Sequence, residues 1–539
     1  MNPLTLTRFT ETPRVPFLDL LIIGGGITGA ALAYEAASRG YTTALIERDD
    51  FGGATSAATG KLIHGGLRYL KQFELGLVRE SLRERRTLSN IAPNLVYPFP
   101  IVLPHAGWVE RLGLLAYDLL SFDRNRVWDK GKRIPGFRQM TQAETLAAWP
   151  GGKAEIPGKA ILYHDCLCLS PERLTLAFIK SAAAHGAMVA NHTAASRLII
   201  QRNQVLGAEV RDRLTGRTFE LLSQVTVNAA GPWTHDLLNQ TEPTRTPMPP
   251  MRSEGIYLVT KKLSDQMFLY VGSHGHFSFA PWRNHTLIGP TDTPYYGQVD
   301  QWKVTGESVD LFLKVINQVT GLREPLTRKD IKLAYGGLRP LAETGSQDTY
   351  HASRRSDLHD HAADGVGGLI TAAGGKYTTS RAFARQIFDR VIQKHGKKAA
   401  LSATQNKPLY ACHLPDIEAY IAGAKAVTPG ADPTTVDYLI RHYGQEYRAV
   451  LDLAGESAEL SRPVNPDGEI LAQVLFSLRY EMARSLTDIF FRRTGMGWLG
   501  HPGDRVIQQA AAMAAQALSW SESQQAQEIS LLNQRFVIP

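Results

Sequence analysis

Cysteine is scarce in this chain: Cys166, Cys168 and Cys412 are the only three among 539 residues. So few cannot build a disulfide scaffold, and a C-x-C pair with one cysteine elsewhere lacks the ligands of a cysteine zinc site. Cys166 and Cys168 read as small residues near a strand end, no metal is expected, and a reducing compartment suits this usage. Long apolar runs are also missing. No stretch reaches the ~20 residues of a membrane span, and no N-terminal apolar segment follows positive charge as in a signal peptide. The expectation is a protein made and kept in the cytoplasm, still able to lie on a membrane surface. Internal repeats, low-complexity tracts and long basic runs are absent too. The net charge is +8, but the cations alternate with acids, as in Arg79-Glu80 and Arg83-Glu84-Arg85-Arg86. That is the pattern of a solvated helix face, so no nucleic-acid partner is expected. With 43% hydrophobic and 20% charged residues, the chain is an ordinary globular sequence, long enough for two or three domains.

What is present begins at Leu20-Leu21-Ile22-Ile23, an apolar run that stops at a glycine cluster and passes into a small-residue helical pattern. Gly24, Gly26 and Gly29 fall on G-x-G-x-x-G, with Ile27 and Thr28 opening the helix. The first glycine permits the turn, the second lets the backbone approach a pyrophosphate, and the third lets helix and strand pack closely. The helix N-terminus presents unpaired N–H groups to the phosphates. A second strand, Thr42 to Ile46, ends in Glu47 and Arg48, placing an acid about 20 residues on, where a ribose diol needs it. A dinucleotide site is predicted. An NAD enzyme would continue into another strand and helix. Here Gly52 to Tyr69 follows, rich in glycine and hydroxyls, and Thr55, Ser56 and Thr59 read as contacts along an extended cofactor.

Two further segments share this character. Val225 to Asn228 runs into a turn at Ala229-Ala230-Gly231, and Gly374-Gly375-Lys376-Tyr377-Thr378-Thr379 is a turn into a helix. Taken with Lys61–Tyr69 (KLIHGGLRY), Asn228–Trp233 (NAAGPW) and Gly336–Leu341 (GGLRPL), the set resembles the FAD-dependent glycerol-3-phosphate dehydrogenase family. His442-Tyr443-Gly444 and Arg492-Arg493-Thr494-Gly495 extend the resemblance to about Gly500.

The resemblance implies an α/β fold: an FAD-binding Rossmann-like domain of the glutathione-reductase-like group, an antiparallel-sheet substrate domain, and an α-helical C-terminal domain. The flavin domain is expected to be discontinuous (about 17–95, 160–245 and 335–395), the cap to occupy about 96–159 and 246–334, and the helical domain 401–539. Ser170-Pro171 reads as an N-cap and first turn of a helix to about Ala184. Strands are predicted near 197–201, 204–211, 217–222, 255–260, 276–281 and 286–289.

By the same resemblance the cofactor is FAD and the substrate a small phosphorylated alcohol, sn-glycerol 3-phosphate. The electron acceptor is a membrane quinone, with peripheral membrane contact and a homodimer as further expectations. Trp108–Phe122, apolar and followed by Arg124, Arg126, Lys130, Lys132 and Arg133, is either a membrane-docking helix or a buried one. Arg339, between Leu338 and Pro340, is expected on phosphate or a developing alkoxide. Lys376 is expected to ease hydroxyl deprotonation, with His64 beside the flavin or substrate. Arg68, Tyr69, Tyr257 and Thr291 are expected on substrate. Gly24, Gly26, Ile27, Thr28, Gly29, Glu47, Arg48, Thr55, Ser56, Thr59, Ala230, Gly231, Gly375, Lys376, Tyr377 and Thr378 are expected on FAD.

The sequence departs from the family at four places. Tyr257 stands where His is usual, Glu254 where some members have Lys, Pro290 where Thr is usual, and Ala57-Ala58 where Ser-Arg is usual. A carboxylate at 254 opposes phosphate unless it points away. These departures keep open an oxidase, a dehydrogenase of another phosphorylated polyol or of a small alcohol or amine, and a non-catalytic or RNA-associated flavoprotein.

Overall fold

The computed structural model describes residues 2–11, 15–104, 106–149, 160–240, 252–272, 275–340 and 356–539. Two sheets organise the first 400 residues. In the first, β1 (Leu18–Ile23) lies between β2 (Thr43–Ile46) and the strand Thr218–Asn228, parallel to both. Met188–Ala190 extends the sheet beyond β2, and Leu369–Gly374 with Ser356–Asp360 extends it on the other side. β1 is wholly apolar except for Asp19, as a strand covered on both faces must be. Helix α1 (Ile27–Ser38) is rich in alanine and buried along nearly its whole length. Small side chains let it pack between β1 and the helices Pro171–Ala184 and Ser380–His395. The predicted Ser170 cap is in place, its hydroxyl accepting the Arg173 N–H. The strands Thr193–Gln201 and Gln204–Asp212 form an antiparallel meander with the first half of Thr218–Asn228, close to their predicted limits.

The second sheet has ten strands and is mainly antiparallel. It contains Arg252–Lys261, Gly275–Trp282 and His285–Gly289, the predicted strands with ends moved by a few residues. It also takes two strands that the sequence reading gave to the flavin domain. Ile161–Cys168 pairs with Val96–Leu103, and Ile331–Pro340 pairs along Arg252–Lys261. The reason is physical: Ile161–Cys168 is buried along almost its whole length, so it lacks the polar-apolar alternation that would mark a sheet with one wet face.

Residues beyond about 400 are helical, as predicted, through to the helix Glu522–Gln534. Buried ion pairs fasten this part to the flavin sheet. Arg173 meets Glu481 at 2.6 Å, Lys180 meets Glu446 at 2.5 Å and Glu481 at 3.2 Å, and Arg493 meets both oxygens of Asp50 at 2.5 and 2.7 Å. Glu481 is fully buried. Burial opposes its ionisation, but Arg173 and Lys180 outweigh that and hold its carboxyl below the usual range.

Candidate active site

The C-terminal ends of the parallel strands and the inner face of the second sheet enclose a cleft of about 1500 Å³. At one end is the glycine turn. Gly24 has φ +112°, and a Cβ there would lie 2.4 Å from the Ala229 carbonyl oxygen. A Cβ on Gly29 would lie 1.9 Å from the Gly24 carbonyl oxygen. Gly29 therefore faces the strand rather than the cleft, the close packing expected of a third glycine. Gly26, Ile27 and Thr28 line the cleft at the mouth of α1. Ser56 Oγ reaches into that mouth and accepts the Ile27 N–H at 2.9 Å. Its own hydrogen remains available to an anion.

Glu47, at the tip of β2, accepts the Gly25 N–H at 2.7 Å and the Asp49 N–H at 2.9 Å. Burial pushes its carboxyl up to about 7 against those two bonds. A desolvated carboxylate beside a helix mouth fits a ribose diol, whose hydroxyls would supply the missing donors. Arg48 turns along the rim, 3.0 Å from Asp300 and stacked 4.9 Å from the centre of the Trp233 ring. Ala230 and Gly231 continue the same wall. Cradle, helix mouth and acid lie in the order that FAD requires.

Past this end, two segments far apart in sequence are laced together. Thr378 Oγ1 accepts the His64 N–H at 3.3 Å, and Tyr377 donates its hydroxyl to the Pro171 carbonyl at 2.5 Å. Lys376 Nζ lies 3.7 Å from the centre of the Tyr69 ring and 3.3 Å from Ser81 Oγ. Arg68 stacks on the same ring at 4.7 Å and donates to the Tyr69 hydroxyl at 2.9 Å. Ring faces attract cations, so Tyr69 gathers two of them. Gly66 makes this possible. A Cβ on Gly66 would meet the Tyr69 ring at 2.6 Å and Lys376 Nζ at 3.2 Å. Thr55 donates to the Leu338 carbonyl at 2.6 Å, and the Thr59 carbonyl accepts from Tyr335 at 2.9 Å, tying this loop to the second sheet. Gly375 and the other residues of the Lys376 turn line the cleft with His64, Arg68, Tyr69, Tyr257 and Arg339.

Arg339 enters from the second sheet. Among the described residues its guanidinium makes only long polar contacts, 3.4 Å to the Thr291 carbonyl, 3.5 Å to Ser253 Oγ and 3.8 Å to Asp292 Oδ2. The slot it occupies exists because residue 255 is glycine: a Cβ there would lie 1.9 Å from Arg339 Nη2. Side chains alternate along a strand. Ser253, Gly255 and Tyr257 therefore face the cleft, while Glu254, Ile256 and Leu258 face the other way. Glu254 accepts from Trp302 Nε1 at 2.7 Å and is not among the residues that line the cleft, so its carboxylate does not oppose an anion there. Tyr257 stacks on Tyr335, ring centres 5.2 Å apart, and fills space left by Gly60 and Gly289.

Thr291, expected on substrate, is tied to the neighbouring strand. Its Oγ1 accepts the Ile256 N–H at 3.0 Å, and its N–H donates to the Ile256 carbonyl at 3.2 Å. The hydroxyl keeps its own hydrogen, and the flanking Pro290 and Asp292 line the cleft.

Among the lining residues that escaped the sequence reading, Asp165 and Arg492 bear most on the site. Asp165 accepts from the Tyr117 hydroxyl at 2.7 Å, the Gly65 N–H at 3.1 Å and Arg85. It anchors the Gly65-Gly66 turn from a different sheet strand. Arg492, only 5% exposed, reaches from the helical domain to the Gly53 carbonyl at 2.8 Å. Burial holds its guanidinium below its ordinary value. The signal available was its setting, an arginine pair directly after Ile489-Phe490-Phe491, the same oddity that singled out Arg339.

The family described as FAD dependent oxidoreductase matches residues 19–381, and the C-terminal domain of alpha-glycerophosphate oxidase matches residues 374–525. A glycerol-3-phosphate dehydrogenase of Synechocystis is 32% identical over 516 residues, 91% of each chain. One of Mycobacterium leprae is 33% identical over 534 residues, 96% of this chain and 88% of that one. The crystal structure of glycerol-3-phosphate dehydrogenase from Bacillus halodurans, complexed with FAD, superposes with a TM-score of 0.78 at 26% identity, covering 98% of this chain and 96% of that one. The helical domain, the two sheets and the dinucleotide cradle thus have a common setting, and the chain belongs to the FAD-dependent glycerol-3-phosphate dehydrogenase family.

Proposed function

We propose that this enzyme oxidises sn-glycerol 3-phosphate to dihydroxyacetone phosphate and passes the electrons to a quinone at a membrane surface. FAD, when bound, supplies the acceptor for the hydrogen leaving C2 as hydride. The observation that carries the reading is the set of three cations, Arg68, Arg339 and Lys376, lining the same cleft as the dinucleotide cradle. Arg339 is the group we assign to the substrate phosphate, because its present polar contacts are long and a phosphate offers a planar fork two short, charge-assisted bonds. Lys376, held over Tyr69, stabilises negative charge on the C2 oxygen, and His64, lining the same cleft, takes the hydroxyl proton. Asp165, through Gly65, fixes the turn that carries His64 and Arg68.

The membrane part rests on α3 (Trp108–Leu120). Its inner face buries Leu114 and Tyr117. Its outer face leaves Trp108 74%, Leu112 56%, Leu115 49% and Leu119 68% exposed, and Phe122 and Phe73 are exposed as well. Positions 108, 112, 115 and 119 repeat at helical spacing and form one stripe. Arg111 on the same helix, and Arg124, Arg126, Lys130 and Arg133 after it, supply cations. An apolar stripe beside cations suits an anionic bilayer.

The test is anaerobic. The purified protein should be yellow, and its flavin band should bleach with glycerol 3-phosphate and not with glycerol. A band unmoved by glycerol 3-phosphate refutes the substrate. Rapid oxygen uptake with peroxide formation would favour an oxidase, the reading suggested by the oxidase C-terminal domain that the chain matches.

A further inference from the structure

Away from the cleft, the edge strand Ser356–Asp360 and the turn His361–Asp364 gather three ligand groups that the redox reading does not use. His359 lies on the strand and His361, two residues on, opens the turn. The turn is held by Asp360, which accepts the Ala362 N–H at 3.0 Å. It brings Asp364 Oδ2 to 2.5 Å from His359 Nε2 and 3.2 Å from His361 Nδ1. The imidazoles meet edge to face, centres 4.6 Å apart and planes at 85°, so both can address one point beside the carboxylate.

The buried member fixes the chemistry. His361 is 5% exposed, and its Nε2 lies 2.8 Å from Thr371 Oγ1 on the next strand. When Nε2 carries the hydrogen and donates it to Thr371, Nδ1 directs a lone pair at a carboxylate oxygen 3.2 Å away. In that tautomer two lone pairs face each other, and a metal ion between them relieves the contact; in the other, the Thr371 hydroxyl donates to Nε2 and Nδ1–H donates to Asp364. A histidine ligand whose other nitrogen is fixed by a hydrogen bond is the usual arrangement at metal sites.

We propose that His359, His361 and Asp364 bind a late first-row divalent transition metal ion, with water in the remaining positions. Two imidazoles and one carboxylate are a donor set that suits zinc, copper or nickel. Metal–ligand bonds of ~2.0 Å place tetrahedral ligands about 3.3 Å apart, and the His361–Asp364 separation is already 3.2 Å. His359 must withdraw slightly, and its side chain, 48% exposed, has room. Asp360 does not compete, being paired with Lys394 at 2.5 Å and Arg390 at 3.2 Å. His359 pairs with Thr371 and Ser356 with Gly374. Three residues of strand, about 10 Å, therefore separate the site from the Lys376 turn, and the ion ties the strand to its turn rather than touching flavin.

The test is calorimetric titration of chelator-treated, dialysed holoenzyme with zinc chloride. One ion per chain is expected. Affinity should fall at least about tenfold in His359→Ala and in Asp364→Asn, and about 10- to 100-fold in Thr371→Val, which removes only the outer partner of His361. Flavin content should not change in His359→Ala, whose side chain is at the surface. Zinc affinity equal in the wild type and the His359→Ala/Asp364→Asn double variant, or no binding up to millimolar zinc, would overturn the site and leave a histidine–aspartate ion pair.

Discussion

Gly255→Ala is the sharpest probe of the assigned phosphate cation, because it moves Arg339 without deleting it. The added Cβ would stand 1.9 Å from Nη2 and 2.6 Å from Cζ. Van der Waals contact needs about 3.5 Å, so the guanidinium must retreat by roughly 1.6 Å. The obstacle is the far end of a flexible side chain, and the strand need not move. A retreat of that size breaks a charge-assisted hydrogen bond, whose loss costs about 1.5–3 kcal/mol. At 1.4 kcal/mol per factor of ten, kcat/KM for glycerol 3-phosphate should fall about 10- to 150-fold. The assay is anaerobic reduction of the flavin followed by stopped flow, with flavin content and thermal stability measured alongside. Both of the latter should stay near wild type, since the FAD cradle is elsewhere. Adding Arg339→Ala to Gly255→Ala should produce little further loss, as two changes to one interaction are not additive. A Gly255→Ala enzyme within about threefold of wild type, with normal flavin content, would refute the assignment of Arg339 to the substrate anion.

Three further outcomes are expected. FAD affinity of the apoprotein should weaken as pH falls below about 7: burial raises the Glu47 carboxyl to about 7, the empty cradle therefore favours the protonated acid, and ribose hydroxyls favour the ionised one. Glu47→Gln should abolish that pH dependence in a fluorescence titration. Glu481→Gln leaves Arg173 and Lys180 without their shared carboxylate and should cost about 3–5 kcal/mol in denaturant unfolding at pH 7. Because the Glu481 carboxyl is held low when folded, its contribution is present above its unfolded value near ~4.3 and disappears as pH falls through the folded one. The gap between wild type and variant should therefore close in acid, and a gap independent of pH would contradict the ion-pair account. Finally, Leu112→Glu/Leu119→Glu, at positions 56% and 68% exposed, should lower co-sedimentation with anionic vesicles at least about tenfold, each leucine being worth about 1.5–3 kcal/mol on burial. Unchanged sedimentation would remove α3 as the docking face.

The local chemistry of the cradle was already determined by the sequence. Strand, G-x-G-x-x-G, helix, strand and Glu47 act within one βαβ unit, where covalent connection itself sets the geometry, and the structure places Gly24, Gly29 and Glu47 as the spacing requires. The helix from Pro171 and the antiparallel strands were equally legible, since caps and alternation are local signals. Sheet membership was not. Ile161–Cys168 and Ile331–Pro340 carry no mark of which sheet takes them, because pairing is chosen by partners well outside any local window, Val96–Leu103 and Arg252–Lys261. The same holds for the direction of a side chain at a given register. Only the pairing of Arg252–Lys261 sends Glu254 away from the cleft, turns Thr291 to the backbone and opens the Gly255 slot for Arg339. Nor does sequence show that Arg492, 439 residues after Gly53, reaches its carbonyl. Contacts of that range depend on how whole domains pack, and that packing rests on the buried ion pairs around Asp50, Arg173 and Glu481, which no local pattern encodes.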